Sequence, residues 1–573
     1  MSRPLLALRD DAISQGVPCG MLAWWGRTDF PDGSAGAQPL CQQDWEGWYM
    51  RLQQAALQSG AVAPLFSVKA MTAPLRPDGP LPVAIANFRI AVLGPPLEEK
   101  QAFFACGLLH DQWARATPVY RGREVTYVFD ARFHFSNPGD PLPDTIDFDP
   151  GDRRGYRRMR FGDHLTARYA SGDTATATVR CGNLLSSFSV PLGDQPAAAV
   201  PDETWGLRGT NGNAGTAYVY RARDRAQVDR PLIVAEGFPG GFPCDYLYEM
   251  INQHGLLEDL RTAGYDVILL SFANGMDLIQ NNASVVEACI GRAMQCTSNP
   301  LVVSGVSMGG LVARYALAHM EACRVPHNTC IFLTIDTPHR GAYTSLCDQW
   351  FAQYFATSSP LAAMFSMVLD SPANQQFLMT WVHGDRAQPS PLRQQYLRAL
   401  DAIGGYPKQP RKLAISSGSG DGRRSFPPLA PALEWSGSEL VSARLWTLPE
   451  DGATARVIGE GYSLLADGSV PSSFQVASNV SWEGAPGGQN IYNFDSAAIA
   501  AGIGYGTVRD PIPGSCSVPT VSALDLSIGP FVPVPPPGSA ASPFDDYTCC
   551  ESNQPHVQFT PRVKLWLLDQ LKR

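Results

Sequence analysis

The chain has 573 residues, a formal net charge of -9, and 45% of its residues are hydrophobic. This length predicts roughly two to four domains, and the acidic balance argues against nucleic acid as a partner. No uncharged apolar run reaches the length of about 18 residues that a transmembrane helix needs, so no transmembrane segment is expected. Charges at Arg9, Asp10 and Asp11 interrupt the apolar patch near the start. Either the protein is not exported or its signal has been removed.

The 13 cysteines are many for a reducing compartment, and their odd number leaves at least one thiol unpaired. The pairs that the spacing allows are Cys19 with Cys41, Cys323 with Cys330, and Cys516 with Cys549 or Cys550. We expect an extracellular or periplasmic location for a mature form that lacks its signal, with a cytoplasmic location as the alternative.

Residues 1–225 show little of the patterning of a parallel sheet. A short helix is predicted over 45–57, followed by strands over 83–93 and 125–135. In the second strand and in 174–181, apolar and polar residues alternate, which indicates half-buried antiparallel strands. Clusters of Gly, Pro and Asp separate these runs, so residues 1–225 are predicted to form a β-rich, sandwich-like domain.

The segment Asp147-x-Asp149-x-Gly151-Asp152 in this domain resembles a calcium-binding loop. It lacks the downstream glutamate of the EF-hand pattern, and short Asp/Gly turns between strands are common. We therefore favour a plain turn and predict no metal site.

Strands alternate with helices from residue 230 onward. The predicted strands are 231–235, 265–272, 301–303, 329–335 and 412–416, and the predicted helices are 246–261 and 277–294. Alternation at this spacing is typical of a parallel sheet flanked by helices. Residues 226–573 are therefore predicted to form an α/β domain that ends in a helix over 563–571.

Two segments interrupt this alternation. Residues 345–405 contain apolar helices rich in Met and Phe, which fit a cap over an apolar site or ordinary core helices equally well. Residues 430–510 are rich in strand signals and glycine, and we expect a β-rich excursion or an extension of the sheet there.

The segment 301–320, LVVSGVSMGGLVARYALAHM, contains the motif Gly305-Val306-Ser307-Met308-Gly309. An apolar strand precedes this Gly-x-Ser-x-Gly motif, and apolar residues at helical spacing follow it. Strand, tight turn and helix in this order are the context of a nucleophile elbow, in which the serine hydroxyl is exposed at the tip. We therefore predict that Ser307 is a nucleophile.

Residues 230–573 resemble the α/β-hydrolase superfamily, and within it the lipase and esterase branch. The most specific matches are GVSMGGLVARY around Ser307 and IDTPHRGA after the next strand. The resemblance implies an α/β-hydrolase fold with a helical cap and a serine mechanism of ester cleavage. It also implies that the histidine of the TPH segment, His339, is structural.

A serine nucleophile needs a base, an acid that orients the base, and backbone donors for the oxyanion. His556 is the predicted base, because it follows every strand and precedes the last helix, in the order serine, acid, histidine. The predicted oxyanion donors are the N–H groups of Met308, next to the serine, and of Phe238, in the loop after the first parallel strand.

The acid stays open among several aspartates. Asp421 follows the strand over 412–416, where the topology places an acid loop. Asp525 follows VPTVSAL, which resembles the VPxxSA after the catalytic aspartate of many lipases, although Ser515-Cys516 stands where that aspartate would be. Asp545 and Asp546 are further candidates.

The sequence therefore predicts a hydrolase of carboxylic esters that works through an acyl-enzyme on Ser307 and needs no cofactor. The apolar cap favours a lipid-like or polymeric ester, and the β-rich domain would position the enzyme or bind a bulky substrate. Two alternatives remain: an acyltransferase with the same residues, or a non-catalytic surface or adhesion protein on a decayed hydrolase scaffold. The oligomeric state does not follow from the sequence.

Overall fold

The computed structural model describes most of the chain. The described residues are 79–92, 98–109, 119–136, 140–170, 174–193, 200–210, 212–357, 359–438, 441–463, 468–490, 507–509, 512, 514–539 and 541–572, with 33, 39–42, 45 and 75. The chain forms two compact units. The first unit comprises Met1–Ala197 with Ala500–Gly506, and the second comprises Ala198–Ile499 with Thr507–Arg573.

The described residues of the first unit are mainly strands. They are β1 (Leu81–Val92), β2 (Glu98–Gly107), β3 (Tyr120–Arg121), β4 (Glu124–Val128), β5 (His134–Ser136), β6 (Ile146–Asp149), β7 (Arg157–Met159), β8 (His164–Arg168), β9 (Thr174–Cys181) and β10 (Leu184–Gly193). One sheet has the order β2-β1-β4-β8 with β5 beside β1, and the other has the order β3-β10-β9-β6-β7. Both sheets contribute side chains to one apolar core, in which the rings of Tyr127 and Phe148 lie 4.9 Å apart.

The predicted strand over 174–181 is confirmed as β9, in which every second residue is buried or partly buried. The prediction of one strand over 125–135 is wrong, because a 3-10 turn at Ala131–Phe133 separates β4 from β5. The Asp130 side chain caps that turn by accepting the Arg132 N–H at 2.9 Å. The helix predicted over 45–57 lies outside the described residues, apart from Trp45.

The aspartates of the segment 147–152, which resembles a calcium loop, contact other groups of the protein. Asp147 pairs with Arg158 and Arg180, and Asp149 accepts the N–H of Gly151 at 2.9 Å. Across the described part of the chain, no group of three or more metal-ligating side chains is positioned to hold an ion.

The second unit is organised around an eight-stranded sheet. Its strands are β11 (Glu203–Arg208), β12 (Ala214–Tyr220), β13 (Pro231–Ala235), β14 (Asp266–Phe272), β15 (Leu301–Val306), β16 (Thr329–Ile335), β19 (Arg411–Ser419) and β27 (Asp546–Cys550). Their order is β11-β12-β14-β13-β15-β16-β19-β27. The six strands from β14 to β27 run parallel, and β11 and β12 are antiparallel at one edge. Strands β13, β14 and β15 are buried along their whole length, as their continuous apolar runs predict.

Helices and short strands complete this unit. The helices are α1 (Cys244–Ile251), α2 (Leu256–Thr262), α3 (Ile279–Cys296), α4 (Met308–Ala322), α5 (Leu346–Tyr354), α6 (Pro360–Leu369), α7 (Pro372–Phe377), α8 (Pro391–Ala402), α9 (Thr520–Ala523) and α10 (Pro561–Gln570). A small hairpin pairs β17 (Trp381–His383) with β18 (Arg386–Gln388). The helix predicted over 246–261 is two helices, because His254 between them has a φ of 53° that no α-helix accepts.

The boundary predicted between residues 225 and 226 is also wrong, since the units divide between 197 and 198. β12 pairs with β14 from Gly215 to Tyr220, so both edge strands belong to the large sheet. Only one face of these antiparallel edge strands is buried, and they therefore show the alternation that is typical of a sandwich strand.

Residues 345–405 hold the predicted helices α5–α8. Within 430–510, the described residues include a separate antiparallel sheet in the order β23-β22-β21-β20-β25, with β20 (Pro431–Ser438), β21 (Val441–Trp446), β22 (Arg456–Ser463), β23 (Ser473–Val476) and β25 (Thr507–Arg509). A further strand, β24 (Gly487–Asn490), pairs with β26 (Ser515–Pro519). The five-stranded sheet from β23 to β25 packs on α5. At this contact the Trp350 indole N–H donates to the Pro471 carbonyl at 3.0 Å.

The cysteine pairs that the spacing allows in this unit are not joined by disulfides in the structure. Cys323 Sγ lies 3.5 Å from the His319 ring, and Cys330 Sγ donates to the Leu301 carbonyl at 3.4 Å. Cys516, Cys549 and Cys550 are free thiols as well. The pair Cys19–Cys41 lies partly outside the described residues. In the described part of the chain, no helix has the length and apolar character to cross a membrane.

Candidate active site

Ser307 occupies a strained turn between β15 and α4. Its φ of 52° and ψ of -127° lie in a region that a non-glycine residue rarely adopts, so the surrounding structure must hold it there. The Ser307 N–H donates to the Ile335 carbonyl at 2.9 Å, which ties the turn to the neighbouring strand. A Cβ at Gly309 would lie 2.2 Å from the Glu236 carbonyl oxygen, so only glycine lets α4 start this close to β13.

His556 reaches this turn from the loop between β27 and α10. Its Nε2 lies 2.7 Å from the Ser307 Oγ, and its Nδ1 lies 2.6 Å from Asp336 Oδ2. A carboxylate only accepts hydrogen bonds, so Nδ1 carries the proton and Nε2 is left to accept the serine hydroxyl. The His556 backbone N–H donates to the Gln489 carbonyl at 2.8 Å, which anchors the loop to β24.

Asp336 is the first residue after β16 and is fully buried. Its Oδ1 accepts the Ser417 N–H at 3.0 Å, and its Oδ2 accepts the Val557 N–H at 3.3 Å in addition to the imidazole. Three donors from two other segments therefore compensate for the burial of this carboxylate. A Cβ at Gly488 in β24 would lie 1.8 Å from Asp336 Oδ2, so β24 covers the carboxylate directly.

The aspartates predicted as the acid have other partners than His556. Asp421 lies in an exposed turn, where it accepts the Ser419 hydroxyl at 2.8 Å and the Arg423 N–H at 2.9 Å. Asp545 and Asp546 stand at the amino end of β27, whereas Ser307 and Asp336 follow the carboxyl ends of their strands. Asp545 accepts the N–H of Lys412, and Asp546 accepts the amide of Gln570.

Asp525, the remaining candidate, belongs to a partly buried ionic cluster, in which Arg314 is the buried member. Its Oδ2 accepts the Tyr406 hydroxyl at 2.6 Å and lies 3.7 Å from Arg314 Nη1 on α4. Arg314 also donates to His339 Nδ1 at 3.3 Å, and burial together with this guanidinium holds the pKa of His339 well below its usual value. His339 is thus a neutral neighbour of Arg314 and takes no part in the Ser307 hydrogen bonds, in agreement with the structural role implied for it.

We expect Asp525→Asn to lower the free energy of unfolding of the second unit by about 3 kcal/mol, because it leaves the charge of buried Arg314 without its carboxylate. The measurement is the midpoint of thermal unfolding. Asp421→Asn is the control, because the Asp421 side chain is 45% exposed. Equal midpoints for the two variants would contradict the role of the cluster. Ester turnover is expected to survive in both variants.

The loop after β13 brings Phe238 to the serine. A Cβ at Gly237 would lie 3.1 Å from the Ser307 Cβ, so the backbone that leads to Phe238 passes close to the nucleophile. Met308 is the first residue of α4, and an N–H at this position has no acceptor within its own helix. Both predicted oxyanion donors therefore lie on segments next to Ser307.

Glu236 precedes this loop and is 1% exposed. Its carboxylate accepts the N–H of Gly241 at 2.7 Å, that of Phe242 at 3.0 Å and that of Phe272. Burial raises the pKa of Glu236 to about 7, against the opposing effect of these donors. No motif in the sequence marks this carboxylate.

Asp336 was not predicted as the acid, although it lies within the IDTPHRGA segment. β15 and β16 are neighbours in the sheet, and Val306 pairs with Ile335. The next residue on each strand is Ser307 on one and Asp336 on the other. A carboxylate that directly follows the strand beside the nucleophile strand was the available signal.

Comparisons with known proteins give limited similarity. No family model and no curated protein sequence matches the chain. Lipase BlEst2 of Bacillus licheniformis in its mature form is 15% identical over 35% of this chain and 72% of its own, with a TM-score of 0.24. Est1E of Butyrivibrio proteoclasticus is 13% identical over 37% and 76%, with a TM-score of 0.23. A hyperthermophilic esterase of Pyrobaculum calidifontis is 15% identical over 39% and 66%, with a TM-score of 0.24. These TM-scores are too low to carry an argument, so the case for function rests on the geometry of the site.

Proposed function

We propose that the chain is a serine hydrolase that cleaves carboxylic esters through an acyl-enzyme on Ser307. The observation that carries this proposal is the pair of short hydrogen bonds that joins Ser307 Oγ to His556 at 2.7 Å and His556 to Asp336 at 2.6 Å. A base within hydrogen-bond reach of the nucleophile, itself oriented by a buried acid, is what a weak hydroxyl nucleophile requires.

In the first half of the reaction, Ser307 Oγ attacks the ester carbonyl carbon while His556 Nε2 takes the hydroxyl proton. Asp336 stabilises the imidazolium that forms, and the N–H groups of Met308 and Phe238 donate to the tetrahedral oxyanion. The imidazolium then gives its proton to the departing alcohol, which leaves the acyl group on Ser307. Water, activated by the same imidazole, releases the carboxylic acid and restores the serine.

The surroundings of the loop favour an ester with an apolar acyl group. The Phe238 ring packs against Phe377 of α7 with ring centroids 5.3 Å apart. The neighbouring helix α6 contains no charged residue, and its Met364 and Met367 side chains are 47% and 62% exposed. An aromatic pair on the loop that passes the nucleophile, with an uncharged helix next to it in the chain, suits a lipid-like or other hydrophobic ester better than a small polar one.

Labelling with a fluorophosphonate tests this proposal. We expect the wild-type chain to react at neutral pH, with peptide mapping placing one adduct on Ser307, and to hydrolyse p-nitrophenyl esters of long-chain acids faster than the acetate. Ser307→Ala serves as the blank for both measurements. A folded wild-type chain that neither takes the label nor turns over any ester would end the proposal and favour a non-catalytic protein.

A further inference from the structure

Glu236, a buried acidic residue next to the site, takes no part in the proposed hydrolysis steps. Glu236 directly follows strand β13, and its backbone N–H donates to the Leu270 carbonyl at 3.0 Å, so its main chain is still tied to the sheet. The 237–242 loop, which carries Phe238, starts at the next residue. The position of this loop therefore depends on what holds its far end.

The Glu236 side chain holds that far end. Oε1 accepts the N–H of Gly241 and Oε2 accepts the N–H of Phe242, so the residue at the start of the loop also binds its last two residues. Oε1 also accepts the Phe272 N–H at the end of β14. The loop is thus closed around one carboxylate, which joins it to the neighbouring strand.

Close packing leaves this loop little room to move. A Cβ at Gly240 would lie 2.6 Å from Gly275 Cα on one side and 3.1 Å from Glu236 Oε1 on the other. The Glu236 carbonyl oxygen lies against Gly309, the residue after Met308. Glu236 consequently contacts both backbone segments that offer an N–H to the oxyanion.

The Glu236 carboxylate lies in an unusual charge environment. Among the described residues, no Lys, Arg or His nitrogen lies within 4.0 Å of it, and backbone N–H groups are its main hydrogen-bond donors. Burying a carboxylate without a cation costs free energy. Here three backbone N–H groups converge on the two carboxylate oxygens, and each hydrogen bond fixes the direction of a peptide plane in or beside the loop.

We propose that Glu236 is a positioning residue that aims the Phe238 N–H at the oxyanion, an inference that rests on the proposed serine hydrolase function. Glu236 touches no reacting atom. It acts through the peptide planes of the loop. It therefore stabilises the transition state, in which the carbonyl oxygen gains charge, and not the initial complex with the substrate.

The test is Glu236→Gln, which keeps the shape but replaces one accepting oxygen with an NH2 group that opposes an N–H. We expect kcat for a p-nitrophenyl ester to fall about 10- to 100-fold with KM within about 3-fold. A boronic acid, which forms a tetrahedral adduct on the serine, is expected to bind more weakly by a similar factor. A purely structural role would not weaken the adduct selectively.

Asp266→Asn is the matched control. Asp266 is fully buried at the start of β14 and accepts three backbone N–H groups, those of Ala222, Asp229 and Arg230, at 2.7 to 2.9 Å. It stands at the opposite end of β14 from Phe272, away from the carboxyl ends where Ser307 lies. We expect this variant to lose stability but to keep the wild-type kcat and boronate affinity.

A folded Glu236→Gln variant with wild-type kcat and boronate affinity would overturn the positioning role, and so would an equal loss of kcat in Asp266→Asn. If Glu236→Gln does not fold, Glu236→Asp decides in its place, because its shorter side chain keeps the charge but cannot reach all three donors. Wild-type kcat in that variant would also overturn the role. Failure of the proposed function is recognised separately, by a wild-type chain that takes no fluorophosphonate.

Discussion

Asp336→Asn is expected to lower kcat for ester hydrolysis by about 10³- to 10⁴-fold with little change in KM. The asparagine amide can donate to Nδ1 of His556, which moves the imidazole proton to Nε2, the nitrogen that must accept from Ser307. The variant also lacks the negative charge that stabilises the imidazolium in both halves of the reaction. Steady-state kinetics with a p-nitrophenyl ester measure the change.

The controls are Asp421→Asn and Asp525→Asn, the aspartates that the sequence favoured. Both are expected to keep kcat within about 3-fold, since the hydrogen bonds of these two side chains go to other residues than His556. A large loss in Asp421→Asn, with Asp336→Asn near wild type, would return the acid to the position predicted from the sequence.

Gly488→Ala is expected to lower kcat by about 100-fold or more, because a misplacement of about 1 Å in a catalytic group can have this effect. The added methyl carbon would lie 1.8 Å from Asp336 Oδ2, so the carboxylate or β24 must move. Any shift of the carboxylate reaches Ser307 through His556. Steady-state kinetics and the rate of fluorophosphonate labelling measure the loss.

Gly206→Ala in β11 is the control for the loss of a glycine from a strand of the same unit. A Cβ there meets nothing within 4 Å, so we expect unchanged kinetics and labelling. A Gly488→Ala variant with wild-type kcat would show that β24 can retreat from the acid without cost, which would exclude a supporting role for this strand.

The parts of the site that could be predicted from the sequence are those with a local signature. The turn around Ser307 is encoded by residues that are adjacent in the sequence. They form an apolar strand, a Gly-x-Ser-x-Gly turn and an apolar helix. His556 was singled out by its place between the last strand and the last helix. The structure brings these two residues together, and their catalytic roles stay proposals that the labelling and kinetic experiments test.

The acid could not be chosen in the same way, because the choice depends on the order of strands in the sheet. Asp336 lies beside Ser307 only because β16 pairs with β15 in a register that aligns Val306 with Ile335. Asp421 and Asp525 follow equally plausible segments, and their true partners, an exposed Arg423 and a buried Arg314, are visible only in three dimensions. Glu236 had no pattern at all, since its partners are backbone groups.

The fold also has parts that a local signature predicts and parts that depend on the order of strands in a sheet. Strands β13, β14 and β15 are continuous apolar runs and were located to within one residue at the start and three at the end. The edge strands β11 and β12 were assigned to the wrong domain, because a half-buried edge strand alternates in the same way as a strand of a two-sheet domain. Periodicity reports the burial of each face and gives no information on which sheet a strand joins.

The sequence separations between Ser307, Asp336 and His556 have a consequence for biosynthesis. His556 lies 249 positions after Ser307 and 220 after Asp336. A ribosome therefore exposes the serine long before it has made the imidazole that activates it. Under the proposed function, a nascent chain that has not yet reached residue 556 carries an inert hydroxyl, and esterase activity requires that translation has passed this residue.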